Sequence, residues 1–266
     1  MSQAVSAPMR SRIGGELAEL EASHGVRILF AVESGSRAWG FPSPDSDYDV
    51  RFVYAHPVDD YMRLRPPRDV IELPIDSELD IGGWDIRKAL GLLLKGNSVL
   101  LEWLQSPVRY RWDAPVCEGL HRLARVSAFR KPATFHYLHL ATSRAERLPD
   151  GEPVKLKTYF YGVRAALALR WLRIHERELP PMDIHALMSG AEPELRADIL
   201  ELVRLKSQRD EGGLGERLPR VDALLASEIA RAQDTASGLE RPAPAPELVE
   251  AADGLLLDIL HGRLLA

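Results

Sequence analysis

Strand-forming patterns end before Pro115, and this break constrains the possible folds more than any other feature of the sequence. Val26–Val32 is a short, mostly apolar run typical of a buried strand, and Tyr48–Tyr54 alternates in polarity and is rich in strand-forming residues. Val70–Leu73 and Glu78–Ile81 are weaker strand candidates. The N-terminal part of the chain therefore has to build a sheet.

Helical patterns flank these strands and continue alone after them. Apolar residues recur at helical spacing in Ser11–Ser23 and in Asp85–Leu94, which predicts a helix in each segment. The clearest later helix is predicted at Val154–Glu178, where one face is apolar, and the last at about Glu247–Leu264. The second half of the chain is therefore predicted to be helical.

A change of pattern near residues 106–118 indicates a domain boundary. The length of 266 residues fits either one large domain or two of ordinary size, so length alone does not decide. We predict an α+β fold in which residues 1–110 form a mixed α/β domain and residues 111–266 form an all-helical domain.

Composition excludes several classes of protein. The hydrophobic share of 45% and the charged share of 27% are ordinary for a globular protein. No apolar run is long enough to cross a bilayer, and Met1–Arg10 lacks the apolar core of a secretory signal, so we expect a cytoplasmic protein without membrane contact. Cys117 is the only cysteine, which excludes an intramolecular disulfide and a multi-cysteine zinc site.

Two carboxylates lie close together at the start of the second strand pattern. Asp47 and Asp49 are two residues apart on a predicted strand, so both side chains project from the same face. Carboxylates at this distance repel each other unless a cation lies between them, and Mg²⁺ or Mn²⁺ prefers such oxygen ligands. The alternative is that the acidic run only caps a turn, which is the commoner role of an isolated Asp-x-Asp sequence.

The preceding segment favours the metal site over the turn. Gly35-Ser36 follows the first buried strand, where a glycine lets the backbone approach a ligand closely and the serine hydroxyl can bind a phosphate. A phosphate-binding turn beside a metal site is the pairing that phosphoryl transfer requires. Arg37 is a candidate for offsetting triphosphate charge, with an ordinary surface arginine as the alternative.

A third carboxylate is expected because two-metal catalysis commonly uses one at the attacking hydroxyl. In Glu78–Ile81 the apolar residues are predicted to face the core, which leaves Glu78 and Asp80 on the site side. Asp85 is a further candidate, although it directly precedes an apolar-periodic helix and an N-cap role explains it more simply. We favour Asp80 and leave Glu78 and Asp85 as alternatives.

The long helix predicted at Val154–Glu178 supplies three candidates for triphosphate binding. Lys157, Tyr161 and Arg164 lie at positions i, i+4 and i+7, beside the apolar stripe. A lysine binds phosphate as a point charge and an arginine binds it as a fork. The alternative is a solvated helix face.

These motifs together resemble a known superfamily. The arrangement of Gly35-Ser36, Asp47-Tyr48-Asp49 and Leu79-Asp80-Ile81 resembles the signature of the DNA polymerase beta-like nucleotidyltransferases. More narrowly, Glu33–Gly40 with Asp45–Arg51 resembles the bacterial branch of predicted nucleotidyltransferases associated with RNA-repair ligases, the RlaP type. Three further segments resemble that branch: Leu79–Ala89, Leu101–Pro107 and Lys155–Tyr159.

The resemblance implies a mixed sheet flanked by helices, joined to a helical domain, with a nucleoside triphosphate and two Mg²⁺ ions bound between them. By that similarity, Asp47 and Asp49 hold both metals. Asp80 holds the metal at the acceptor hydroxyl and assists its deprotonation. Gly35, Ser36 and Arg37 are then expected at the triphosphate.

The acceptor is expected to be RNA. Between His121 and Glu178 there are twelve Lys or Arg residues against five Asp or Glu, in a chain with a net charge of −5. Such a stretch suits a phosphate-facing surface or a solvated helix face. A protein or small-molecule acceptor, a non-catalytic nucleotide or RNA sensor, and a glycosyltransferase with a metal-binding Asp-x-Asp are the alternatives, and the oligomeric state is left open.

Overall fold

The computed structural model describes residues 5–76, 78–148, 153–210, 212–240 and 243–264. The chain forms two compact units and passes between them several times. The sheet unit contains the described residues of 5–35, 47–128 and 243–264, and the helical unit contains those of 36–46 and 129–240.

The strands account for every predicted strand and add three short ones. Across the described residues they are β1 (Arg27–Glu33), β2 (Tyr48–Ala55), β3 (Val70–Glu72), β4 (Leu79–Asp85), β5 (Arg109–Trp112), β6 (Val154–Lys155) and β7 (Leu214–Gly215).

The helices are bounded as follows within the same residues. They are α1 (Ala7–His24), α2 (Ser36–Trp39), α3 (Val58–Tyr61), α4 (Ile86–Leu94), α5 (Ser98–Leu104), α6 (Ala114–Val126), α7 (Arg130–Ala145), α8 (Leu156–Ile174), α9 (Ile184–Leu187), α10 (Pro193–Ser207), α11 (Pro219–Ala236) and α12 (Pro246–Leu260).

A five-stranded mixed sheet forms the centre of the sheet unit. Its strands lie in the order β3-β4-β2-β1-β5. Strands β2 and β4 are parallel, whereas the other neighbouring pairs are antiparallel. This sheet confirms the predicted α+β fold class, and it brings the start of β2 beside the start of β4.

Helix α1 packs on this sheet through one apolar stripe. Ile13, Leu17 and Leu20 are buried in one cluster with the β2 residues Val50 and Phe52. Full burial of side chains of this size stabilises the fold by about 1.5–3 kcal/mol each. The helix begins at a Ser6 cap and ends at Gly25, whose φ of 62° is readily adopted only by glycine.

The sheet unit also includes helices from residues 47–128 and from residues 243–264. Helices α4, α6 and α12 pack against one another. Gly119 of α6 lies so close to Leu255 of α12 that an added Cβ would be 2.6 Å from the Leu255 side chain. Cys117 is buried in this part of the fold. The division at residues 110 and 111 stays a prediction, and β5 spans that position.

Helices α7, α8 and α11 form the centre of the helical unit. Helix α8 is shorter than predicted at both ends. Val154–Lys155 pairs with Leu214–Gly215 as a two-stranded ladder before the helix begins, and the helix ends at Ile174 instead of Glu178. Twelve of its residues are buried, so its apolar surface extends beyond the single predicted stripe. In the described ranges, no helix has the length and apolar character needed to cross a membrane.

Candidate active site

Asp49 and Asp80 are direct neighbours on two parallel strands. Asp49 is the second residue of β2, Asp80 is the second residue of β4, and the register pairs the two positions. Residues paired in this way project from the same face of a sheet. Leu79 and Ile81, on either side of Asp80, are buried, whereas Asp80 is half-buried. The predicted alternation along β4 is therefore present.

Asp47 lies immediately before β2 and is exposed. Burial raises the pKa of the Asp49 carboxyl to about 7, and the negative charge of Asp47 is the next largest cause. Glu33 and Asp80 raise this pKa further, whereas Arg51 lowers it. The negative charge around the start of β2 is therefore only partly neutralised by Arg51.

Gly35 makes the position of Asp49 possible. A Cβ added to Gly35 would lie 1.8 Å from Oδ2 of Asp49 and 2.7 Å from its Cγ, so no larger residue fits without moving the carboxylate. The backbone N–H of Ser34 donates to the Asp49 carbonyl at 2.8 Å, which holds the two chain segments together. The glycine is therefore required by a close approach to a carboxylate, and not only by a turn.

Glu33 is a functional candidate that the sequence reasoning missed. Its side chain is fully buried, and Oε1 accepts the backbone N–H of Asp49 at 2.9 Å. The Tyr110 hydroxyl donates to the other oxygen, Oε2, at 2.5 Å. Glu33 thus fixes the backbone of Asp49 from the neighbouring strand. A charged residue at the end of a mostly apolar strand was the available signal.

Arg51 is the second residue that the sequence reasoning missed. Its Nη2 donates to Oδ2 of Asp80 at 2.6 Å, and its Nη1 donates to the Asp80 carbonyl at 2.8 Å. The same Nη2 lies 3.6 Å from Oδ1 of Asp49. One guanidinium therefore bridges the two carboxylates and partly neutralises them.

The chemistry of these acids fits a divalent cation, although their present arrangement does not form a complete site. Within the described part of the chain, no three Asp, Glu, His or Cys side chains are arranged as ligands of one metal ion. The Arg51 guanidinium lies where a cation would contact both Asp49 and Asp80. Carboxylate oxygens that repel one another are nevertheless the donors that Mg²⁺ and Mn²⁺ prefer.

The two alternative third carboxylates have other partners. Glu78 is exposed and forms an ion pair with Arg12 at 2.9 Å. Asp85 is buried, and its Oδ1 accepts the backbone N–H of Arg87 at 2.7 Å, which is the predicted N-cap of α4. Its Oδ2 accepts the Tyr61 hydroxyl at 2.6 Å. These contacts give both residues structural roles, and the choice of Asp80 as the third carboxylate stays a prediction.

Ser36 and Arg37 belong to the helical unit, where both side chains are buried. The Ser36 hydroxyl donates to Oγ of Ser46 at 3.1 Å. The Arg37 guanidinium donates to the Ser46 carbonyl at 2.6 Å. Both residues therefore tie the two ends of the 36–46 segment together. Their predicted contact with triphosphate stays a prediction.

The three candidates on α8 differ in exposure. Arg164 is buried, where its Nε donates to the Met182 carbonyl at 3.3 Å and its guanidinium lies 4.6 Å from the centre of the Trp39 ring. Tyr161 meets the Trp39 ring edge-on at 4.9 Å. Lys157 is half-buried. The solvated-face alternative is therefore wrong for Arg164.

Comparison with known proteins identifies the family. Residues 9–258 match the model of the RNA repair pathway DNA polymerase beta family, RlaP. The chain belongs to this family. A relative described as an uncharacterized protein, YcgL of Bacillus subtilis (strain 168), is 42% identical over 256 residues, which cover 95% of this chain and 97% of the relative. The resemblance inferred from the motifs is thereby confirmed at the level of the RlaP family.

Asp80→Ala and Asp85→Ala are expected to have different effects in this RlaP-family protein. Asp80→Ala should abolish turnover with little change in triphosphate binding. Asp85→Ala should lower the free energy of unfolding by roughly 1–3 kcal/mol, because it removes a helix cap and the acceptor of a buried hydroxyl. Denaturant unfolding and pyrophosphate release, measured below the melting temperatures of both variants, separate the effects. Loss of turnover in folded Asp85→Ala protein would transfer the catalytic role to Asp85.

Proposed function

We propose that the protein is a metal-dependent nucleotidyltransferase, which moves a nucleoside monophosphate from a nucleoside triphosphate to a hydroxyl acceptor. The observation that carries the proposal is the pairing of Asp49 with Asp80 on parallel strands, against a glycine with no room for a side chain. Membership of a polymerase beta family supports the same reaction class. A glycosyltransferase would share the Asp-x-Asp sequence, but family membership does not support that reading.

Asp47, Asp49 and Asp80 are the residues proposed to hold Mg²⁺ or Mn²⁺. When bound, a divalent ion supplies charge neutralisation and Lewis-acid activation to a phosphoryl group. For Asp49 to become a ligand, Arg51 has to give up its contact at 3.6 Å, which is the weaker of its two ion pairs. The shorter contact to Asp80 can persist and orient that carboxylate.

The proposed chemistry forms one bond and breaks one. The acceptor hydroxyl oxygen attacks the α-phosphorus, and the bond from that phosphorus to the bridging oxygen of the β-phosphate breaks. Pyrophosphate leaves with the electron pair. The hydroxyl proton passes to the carboxylate of Asp80, which is the proposed acceptor. Ser36, Arg37, Lys157, Tyr161 and Arg164 are the proposed triphosphate-binding residues.

Pyrophosphate release is the direct test of this proposal. The protein is incubated with each nucleoside triphosphate, Mg²⁺ or Mn²⁺, and a short RNA with a free 3′ hydroxyl. Release that requires the metal, together with a labelled RNA lengthened by one nucleotide, is the expected result. A sensor of the same fold would bind the triphosphate without releasing pyrophosphate. If the acceptor is a protein or a small molecule, the label would appear in a product of different size.

RNA is the proposed acceptor because Lys and Arg side chains are concentrated in one part of the chain. The excess of Lys and Arg lies between His121 and Glu178, and residues from 129 onward in this stretch belong to the helical unit. Neutralising phosphates releases counterions and gives a steep dependence on salt. A cationic small molecule would instead favour an acidic surface.

RNA affinity is expected to fall steeply with added salt. The double substitution Lys155→Glu and Lys157→Glu should make the affinity fall less steeply. Each lost phosphate contact lowers the slope of log K against log salt by about 0.7 for single strands. Filter binding of a 3′-hydroxyl RNA at several salt concentrations measures it. Arg63→Glu with Arg65→Glu is the matched control, since both are exposed, equally spaced and outside the basic stretch. RNA binding that does not depend on salt would contradict an RNA acceptor.

A further inference from the structure

A buried lysine lies at the end of a chain of hydroxyl groups in the helical unit. Lys206 of α10 is only 2% exposed, and its Nζ donates to Oγ of Ser43 at 3.3 Å. Ser43 Oγ is 2.9 Å from Ser46 Oγ, and Ser46 Oγ accepts the Ser36 hydroxyl at 3.1 Å. Ser36, Ser43 and Ser46 are all buried. The chain therefore connects a residue near the end of α10 to the proposed phosphate-binding serine.

The direction of these hydrogen bonds follows from the number of donors and acceptors. A lysine ammonium can only donate, and a hydroxyl has one proton and two lone pairs. Ser46 Oγ accepts both the Ser36 hydroxyl and the backbone N–H of Ser43 at 3.0 Å. Both of its lone pairs are then in use, so its own proton goes to Ser43. Ser43 Oγ in turn accepts from Ser46 and from Lys206, which makes Lys206 the terminal donor.

This direction determines what Ser36 offers to a ligand. Its proton is directed inward to Ser46, so the hydroxyl is held in one rotamer, and donation to a phosphate would require the hydroxyl to turn away from Ser46. The hydroxyl chain instead fixes the 36–46 segment, together with the Arg37 contact to the Ser46 carbonyl. A residue that keeps this segment fixed reduces the ordering that triphosphate binding would otherwise require.

Aromatic side chains pack near the ammonium group of Lys206. Nζ lies 5.7 Å from the centre of the fully buried Phe41 ring, and that ring stacks on Phe160 at 4.7 Å. An apolar side chain would fit this aromatic environment at lower desolvation cost than an ammonium. The hydrogen bond that the ammonium donates to Ser43 offsets part of this desolvation cost.

We infer that Lys206 is a positioning residue for triphosphate binding, which acts through Ser43 and Ser46 to hold Ser36 and its segment in place. The inference rests on the proposed function. It gives the C-terminal part of the helical unit a role that the sequence motifs do not reveal.

Lys206→Met tests this inference, because methionine keeps the apolar stem and removes the donor. The KM for the preferred nucleoside triphosphate is expected to rise roughly 10- to 100-fold, the effect of losing a hydrogen bond from a charged donor. The kcat should change far less, since Lys206 does not contact the reacting atoms. Arg204→Met, on an exposed position of the same helix, is the control and should leave KM unchanged.

A double-mutant cycle separates positioning from general destabilisation. Lys206→Met and Ser46→Ala interrupt the same chain, so the double variant should raise KM no further than the more severe single variant. Effects that multiply instead, or a KM unchanged in folded Lys206→Met, would overturn the inference while leaving nucleotidyl transfer intact. Should Lys206→Met fail to fold, Ser43→Ala interrupts the chain with a smaller change, and an unchanged KM there is equally decisive. A wild-type protein that neither binds nor uses any nucleoside triphosphate would instead refute the proposed function.

Discussion

Asp49→Asn is expected to remove turnover and, in the metal-free protein, to raise the melting temperature near pH 8. Burial and the charge of Asp47 raise the pKa of Asp49 to about 7 from its usual value of 3.8. Between these two values the unfolded state binds fewer protons than the folded state, so this group lowers stability as the pH rises. Above about pH 7 the full destabilisation is present, and asparagine removes it.

The expected effect of Asp49→Asn on turnover is larger than its expected effect on stability. Loss of a metal-binding carboxylate should reduce turnover about a thousandfold or more, which corresponds to ~4 kcal/mol of transition-state stabilisation. A stabilisation of ~1 kcal/mol would raise the melting temperature by about 2–4 °C in a protein of this size. Calorimetry with a chelator at pH 8 and at pH 4 measures the second effect, and the difference from wild type should become small at pH 4.

Asp59→Asn provides the control for Asp49→Asn. Asp59 is exposed in α3, away from the carboxylate pair, and its substitution should change neither turnover nor the pH dependence of melting. Mg²⁺ should raise the melting temperature of the wild type and of this control, but not of Asp49→Asn. Wild-type turnover by folded Asp49→Asn protein would contradict the metal-binding role.

The strands that carry the site were predictable because their patterns are local. Alternation along β2 and β4 indicates which residues are buried, and it gives Asp49 and Asp80 half-buried positions. The pairing of these residues was not predictable in the same way, because the parallel register of β2 with β4 depends on contacts between distant segments. Strand β5 was missed although Arg109–Trp112 alternates charged and aromatic residues, because a run of four residues is at the lower limit of a strand pattern.

The roles of residues whose partners lie far away along the chain could not be predicted from the sequence pattern. Lys206 is 163 positions from Ser43 along the chain. Its spacing from Ile199 and Leu202 places it on the buried stripe of α10, but that spacing does not reveal its partner. Glu33 and Arg51 lie within the family-like segments, yet their roles follow only from contacts to Asp49 and Asp80. Motifs therefore identified the candidate ligands, whereas the structure was needed to find the groups that hold them.

Gly35→Ala is expected to reduce turnover about a hundredfold, although it changes no polar group. The added methyl group would lie 1.8 Å from Oδ2 of Asp49, far inside van der Waals contact. Asp49 or the start of β2 therefore has to move, and a shift of about 1 Å at a reacting centre can cost a hundredfold in rate. Stability should also fall, by roughly 1–3 kcal/mol for overpacking of this kind.

Combining Gly35→Ala with Asp49→Ala distinguishes this clash from an effect on the turn itself. The double variant has no carboxylate for the methyl group to strike, so it should regain much of the melting temperature lost by Gly35→Ala while staying inactive. Gly14→Ala in α1 is the matched control, because nothing lies within 4 Å of its added Cβ and alanine favours a helix by roughly 0.5–1 kcal/mol. Melting curves and pyrophosphate release are measured for the wild type, these three variants and Asp49→Ala alone, because loss of the Asp49 charge is itself expected to raise the melting temperature. If removal of the Asp49 carboxylate does not recover stability, the intolerance at Gly35 arises from its backbone, and the close approach to Asp49 does not explain the glycine.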